Sequence, residues 1–148
     1  MDVKQYLNQS YWLDQLITCE REEIRELCDM SVSISAVQYE ENLIHPDNTN
    51  ARFVKLLYRI EEQKQKLLDE INLLITLKTQ IRAAIDTVPS IRDRLILQYR
   101  HLQNQPWESI ADNLKVSRRS VIRWYNEAVG VIVMPENPID VNEFLQKK

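Results

Sequence analysis

A single glycine among 148 residues is the most telling scarcity in this chain. Hairpins and tight turns lean on glycine for left-handed backbone, so a chain almost without it, and rich in Leu, Ile, Gln, Glu and Arg, is expected to be all-α. Long apolar runs are missing too. None approaches the roughly 20 residues that cross a bilayer, and MDVKQYLNQS lacks the basic-then-apolar layout of a signal peptide. The two cysteines, Cys19 and Cys28, lie nine residues apart, on opposite sides of a helix, which argues against a disulfide between them. His45 and His101 have no ligand-spaced company. The chain also has no G-x-S-x-G, no phosphate loop, no HExxH and no carboxylate pair set apart from helix-surface charge. These absences predict a cytoplasmic, reduced chain with no membrane segment, metal, cofactor or catalytic residues. With 44% apolar and 28% charged residues, the composition is that of an ordinary folded protein.

The net charge of −3 hides a division. Residues 90–125 hold Arg92, Arg94, Arg100, Lys115, Arg118, Arg119 and Arg123 against Asp93, Glu108 and Asp112. Seven cations against three anions leave this segment at +4, so the remainder of the chain stands at −7. One segment can attract a polyanion while the rest repels it.

Residues 1–88 read as a long helical arm. Tyr6, Leu13, Ile17, Ile24 and Leu27 recur at helical spacings up to about Met30. SVSISAVQYEENLIHPDNTN, residues 31–50, breaks the pattern and is expected to be a loop. A second helix follows, with Asn50 as its N-cap and Pro89 just past its end. Its seam is Phe53, Leu57, Ile60, Lys64, Leu67, Ile71, Leu74, Lys78, Ile81, Ile85 and Val88, a heptad pattern interrupted only by lysine. The two helices would be about 45 Å and about 55 Å long and would fold back as a coiled-coil-like antiparallel hairpin. A two-helix hairpin has a narrow core. Either a homodimer of hairpins completes a bundle, or the C-terminal end of the same chain covers the seam.

Residues 89–130 read as a helix-turn-helix unit. Ser90 caps a helix whose Ile91, Leu95, Tyr99 and Leu102 share a face. Pro106 suits the first position of the next helix, with Trp107, Ile110, Ala111 and Leu114 on one side. Lys115-Val116-Ser117 is the turn, Ala111 supplies the small residue where the helices approach, and Ser117 caps a last helix ending at Gly130 in left-handed conformation. With Val121 inward, Trp124 and Ala128 follow it into the core. The outer face then carries Arg118, Arg119, Ile122, Arg123 and Asn126. A helix fits the DNA major groove, arginine pairs bidentately with guanine, and a serine-capped helix start suits a phosphate. The tail, residues 131–148, is broken by Pro135 and Pro138, and Asp140 with Glu143 looks like a small capping box. It either covers the arm or binds a partner.

WESIA at 107–111 and VSRRSV at 116–121 resemble region 4 of sigma-70-type factors, the part that reads the −35 promoter element. The layout, from VKQYLNQ through LQYRHLQNQPWESIADNLKVSRRSVIRWYNEAV, resembles small phage and prophage transcription regulators of the RinA and ArpU late-activator type. That resemblance implies base reading by Arg118, Arg119, Ile122 and Arg123, and phosphate contact by Ser117, with Lys115, Ser120 and Asn126 beside it. It implies double-stranded promoter or operator DNA and host RNA polymerase as partners. Sigma factors commonly place Glu and Gln where this chain has Arg119 and Arg123. An acceptor that reads cytosine has become a donor, which favours guanine or phosphate and a target other than the standard −35 sequence. Nothing here resembles the sigma region that melts the −10 element, so the expectation is recruitment of polymerase. Two other readings stand beside it. A phage small terminase subunit would form a ring on packaging-site DNA, although such proteins usually place the DNA-binding unit first. A helical adaptor or inhibitor would use the arm to hold a protein.

Overall fold

In the computed structural model, which describes residues 1–41 and 49–147 and side chains outside 35–50, every regular element is helical. The order is α1 (Val3–Glu41), α2 (Thr49–Ile85), α3 (Ile91–Leu97), a π-helical turn (Gln98–Leu102), α4 (Trp107–Leu114), α5 (Arg118–Val131) and α6 (Val141–Gln146). No helix is long and apolar enough to cross a membrane among the described residues. The chain forms two compact units: Met1–Asp14 with Leu73–Lys148, and Gln15–Asn72. The division therefore does not fall at residue 88, because the first turns of α1 and the last turns of α2 cluster with the C-terminal helices.

In the Gln15–Asn72 unit, α1 and α2 run antiparallel: Glu20 pairs with Lys66 at 3.3 Å, while Glu23, Glu26, Leu27 and Met30 share a surface groove with Arg59 and Gln63. Its interior is thin. Ile17, Ile24 and Ile60 are buried, together with the carboxylate residues Glu20 and Glu70, but Leu57 and Leu68 stay exposed. The expected loop at 31–50 is corrected on its first side, since α1 continues through Met30 to Glu41. The serines there do not break the helix; Ser31 Oγ donates to the Cys28 carbonyl at 2.7 Å, returning its polar group to the helix itself. Residues 42–48 lie outside the described residues. Because α2 begins at Thr49, Asn50 lies inside its first turn and not ahead of it.

In the other unit the buried side of α2 widens to Leu73, Leu74, Leu77, Ile81, Ala84 and Ile85, and Val88 just past its end is buried as well. The heptad seam thus gives way to a broader stripe. An α-helix of 3.6 residues per turn drifts against a strict seven-residue repeat, and more elements surround α2 here. Tyr6 and Leu7 of α1 are fully buried in this unit. The tail packs here too, held by two glutamines. Gln80 Nε2 donates to the Asn137 carbonyl at 2.9 Å, and its Oε1 accepts from the Tyr6 hydroxyl at 2.7 Å and from Ile139 N at 3.0 Å. Gln9 brackets Ile139 and Val141 in the same way, donating to the first at 2.9 Å and accepting from the second at 2.8 Å. Asp140 accepts from Glu143 N at 3.3 Å and so starts α6.

Ser90 caps α3 by accepting from Asp93 N at 3.4 Å. The face expected of this helix is corrected: Ile91 is 79% exposed, whereas Ile96, Leu97, His101 and Leu102 are buried. The π-turn inserts an extra residue into the helical repeat, which rotates the inward side and carries His101 inside. His101 Nε2 lies 2.8 Å from the Tyr125 hydroxyl, and the ring's other hydrogen bond is to the Leu7 backbone. The His101 carbonyl accepts from Ser10 Oγ at 2.7 Å. One buried residue thereby ties α1, the π-turn and α5 together. Burial, aided by the neighbouring Arg100 charge and opposed by the Leu7 bond, lowers the imidazole to about 3, so it is neutral. Burial pushes the Tyr125 phenol up to about 12, with Arg100 acting the other way.

Candidate nucleic-acid interface

α4 and α5 are joined by Lys115, Val116 and Ser117. Pro106 is the residue before α4, with extended backbone (ψ 159°), and not its first helical position. Ile110 and Ala111 are buried against α5. Lys115 ends α4 at φ 57°, left-handed backbone that usually goes to glycine. Ser117 then starts α5: its Oγ accepts from Ser120 N at 3.2 Å and donates to Ser120 Oγ at 2.9 Å. Both hydroxyls are therefore engaged locally, and the hydroxyl proton left for an outside acceptor belongs to Ser120. α5 does not end at Gly130. The helix includes that glycine, which has no positive φ, and leaves at Ile132 in extended conformation toward Thr87, whose hydroxyl accepts from Val133 N at 3.0 Å.

The inward face of α5 is Val121, Tyr125 and Ala128. Trp124, expected in the core, is only half-buried; Tyr125 takes that place. Steps of +3 and +4 from Val121 both fall near the inward direction. The choice was made by neighbours, His101 at one edge of the Tyr125 ring and Trp107 meeting it edge-on at 4.9 Å. Trp124 is instead covered by Arg92, whose guanidinium lies 4.3 Å from the ring centroid.

These contacts sort the seven basic residues of the segment. Arg92 also pairs with Asp93 at 3.0 Å and Glu127 at 3.7 Å. Arg94 donates to the Val88 carbonyl. Arg100 stacks on Trp107 at 4.2 Å and donates to the Gln105 carbonyl at 3.1 Å. Arg118 reaches Glu108 at 3.3 Å, both side chains being largely exposed. Four of the seven therefore serve the fold. Arg119, Arg123 and Lys115 remain exposed with no carboxylate partner among the described residues; Arg123 only skirts the Trp124 ring at 5.9 Å.

Of the residues singled out in the sequence, Arg119, Ile122, Arg123 and Asn126 line one shallow concavity on the outer side of α5, and Glu127 lines it with them. Lys115, Ser117 and Ser120 stand at the α5 N-terminus, and Arg118 is turned toward α4. One neighbour of this face left no signal in the sequence. Lys4, from the first turn of α1, donates to Asn126 Oδ1 at 3.1 Å. No group of three His, Cys, Asp or Glu side chains is placed to hold a metal ion among the described residues. Compared with family models, with curated proteins and with solved structures, the chain finds no match in any of the three.

Proposed function

We propose that the chain is a sequence-specific DNA-binding regulator of transcription, with α5 as the helix that enters the major groove. One observation carries this reading: Arg119 and Arg123 stand one turn apart on an exposed helical face that also holds Ile122 and Asn126. Two like charges at that spacing destabilise a helix by about 0.2–0.5 kcal/mol. Neither guanidinium is ion-paired with a carboxylate among the described residues to offset that cost, and the pair's one ring contact, Arg123 with Trp124, is a distant 5.9 Å. A polyanion would offset it. The fork of each guanidinium matches the O6/N7 edge of guanine or a phosphate, and Ile122 between them can contact a thymine methyl. The first N–H groups of α5, the Ser120 hydroxyl and Lys115 suit backbone phosphates that fix the register. Arg118, turned to Glu108, would read a base only by leaving that exposed pair, which costs little.

The finer reading is a sigma-70 region 4-like helix-turn-helix carried by a helical arm, in the manner of phage late activators that act with host RNA polymerase. The arm supports a homodimer, because the thin Gln15–Asn72 unit leaves Met30, Val32, Val54, Leu57, Tyr58 and Leu68 exposed. Two copies would place two recognition helices on one duplex.

The test is selection from a random-sequence duplex pool, followed by affinity measurements across a salt series. A dimer touching about six phosphates gives a log–log slope of roughly −5. An enriched motif, lost in Arg119→Ala/Arg123→Ala while weak non-specific binding persists, supports the reading. No enrichment at any salt, with parent and variant alike, overturns it and turns attention to protein partners of the arm.

A further inference from the structure

We infer that Lys4, in the first turn of α1, belongs to the same nucleic-acid surface and, together with Asn126, clamps a backbone phosphate at the edge of the groove that α5 occupies. The inference rests on the DNA-binding reading above.

Lys4 and Asn126 are 122 residues apart in the chain, and both are exposed where their side chains meet. An ammonium only donates, so its contact with Oδ1 fixes the orientation of the Asn126 amide. The oxygen faces Lys4 and the Nδ2 group, with its two donors, faces away from it. The remaining ammonium protons and the amide protons then present donors with no acceptor among them. The complementary ligand is an anion with several acceptor oxygens, which a phosphodiester supplies. Lys4 has no carboxylate within ion-pair distance among the described residues; Asp2 accepts from Gln5 N at 2.8 Å, and Glu127 lies 3.7 Å from Arg92. Asn126 lies seven residues beyond Arg119, about 10 Å further along the helix axis. With the α5 N-terminus at the base edges, that distance brings position 126 out to the flanking phosphates. The contact would position and not specify, since a phosphate carries no sequence information. It also gives the α1 N-terminus a task that a helix-turn-helix alone would not assign it.

The experiment uses the full chain, the selected duplex and an unrelated duplex, each across the salt series. Each copy in the dimer loses one phosphate contact, so Lys4→Met should lower the slope by about 1.8, roughly 0.9 per phosphate. It should weaken binding to both duplexes by the same factor, roughly three- to tenfold, and leave their ratio unchanged. Lys4→Arg should keep the parental slope. Asn126→Asp should lose at least as much affinity as Lys4→Met, because the new carboxylate neutralises the ammonium and repels the phosphate. Lys147→Met, which removes an exposed lysine paired with Glu143 on α6, serves as the control and should match the parent. The two sites are exposed, so melting temperatures should stay unchanged. A parental slope in Lys4→Met, while Arg119→Ala/Arg123→Ala still abolishes sequence preference, overturns the clamp and leaves α5 as the reader. A changed duplex ratio in Lys4→Met also overturns it, since the residue would then be touching bases. Absence of DNA binding by the parent overturns both readings.

Discussion

His101 makes the stability of the C-terminal unit depend on pH, and the direction follows from its burial. The imidazole is held at about 3 in the folded chain against 6.5 when unfolded. Between those values the unfolded chain binds a proton that the folded chain does not. Stability is therefore complete above about pH 7 and is lost progressively as pH falls from 6.5 toward 3. At pH 5 the unfolded state gains about 2 kcal/mol from protonating this one residue. For a chain of this size that corresponds to a fall in melting temperature of about 4–8 °C. The assay is thermal unfolding by circular dichroism at pH 7.5 and pH 5, a window above the range where most carboxylates titrate. The comparison is with His101→Gln, which can still bond Tyr125 and the Leu7 backbone but has no proton to gain. That variant starts from a lower melting temperature, and its decline between the two pH values should be shallower than the parent's by the stated amount. His45 is present in both proteins, so its effect cancels. Equal declines would refute the reasoning and mean that the ring accepts a proton without leaving its place beside Tyr125 and Leu7.

Tyr125→Phe should cost about 1–3 kcal/mol, because it leaves His101 Nε2 buried without its hydroxyl partner, and denaturant titration would show it as a lower midpoint at unchanged slope. Gln80→Ala should loosen the tail by removing two hydrogen bonds to it, with Asn137 and Ile139, besides the one from Tyr6; faster hydrogen exchange confined to residues 137–146 is the expected sign, and unchanged exchange there would contradict the docking. Lys115→Gly should stabilise the chain by up to about 1 kcal/mol by relieving left-handed backbone at a lysine, even as it removes a cation from the α5 N-terminus; a lower midpoint would contradict the strain argument. Arg119→Ala/Arg123→Ala should leave the melting temperature equal or higher while removing DNA preference, which separates a surface used for binding from one used for folding.

Much of this protein is settled within four residues along the chain, and those parts can be read from the sequence. The scarcity of glycine and the helical periodicities produce an all-helical chain. Ser90, Ser117 and Asp140 start their helices by accepting a backbone N–H three residues on, an interaction that needs no distant partner. With Val121 inward, the 3.6-residue repeat alone turns Arg119, Ile122, Arg123 and Asn126 to the same outer side. Other features depended on neighbours far away in the chain. Trp124 and Tyr125 sit equally well for burial by periodicity, and His101 and Trp107 chose Tyr125. The seven basic residues at 90–125 look alike in a charge count. Contacts with Asp93, Glu108, Glu127, Trp107, Trp124 and two backbone carbonyls take four of them for the fold and leave three outside. The tail is an open strip of sequence until Gln9 and Gln80 supply it with hydrogen-bond partners from α1 and α2. Lys4 reaches the outer face of α5 only because the first turns of α1 pack into the C-terminal unit. A local pattern can fix what a residue's own helix does with it, but only tertiary packing decides which of several equivalent residues meets a partner.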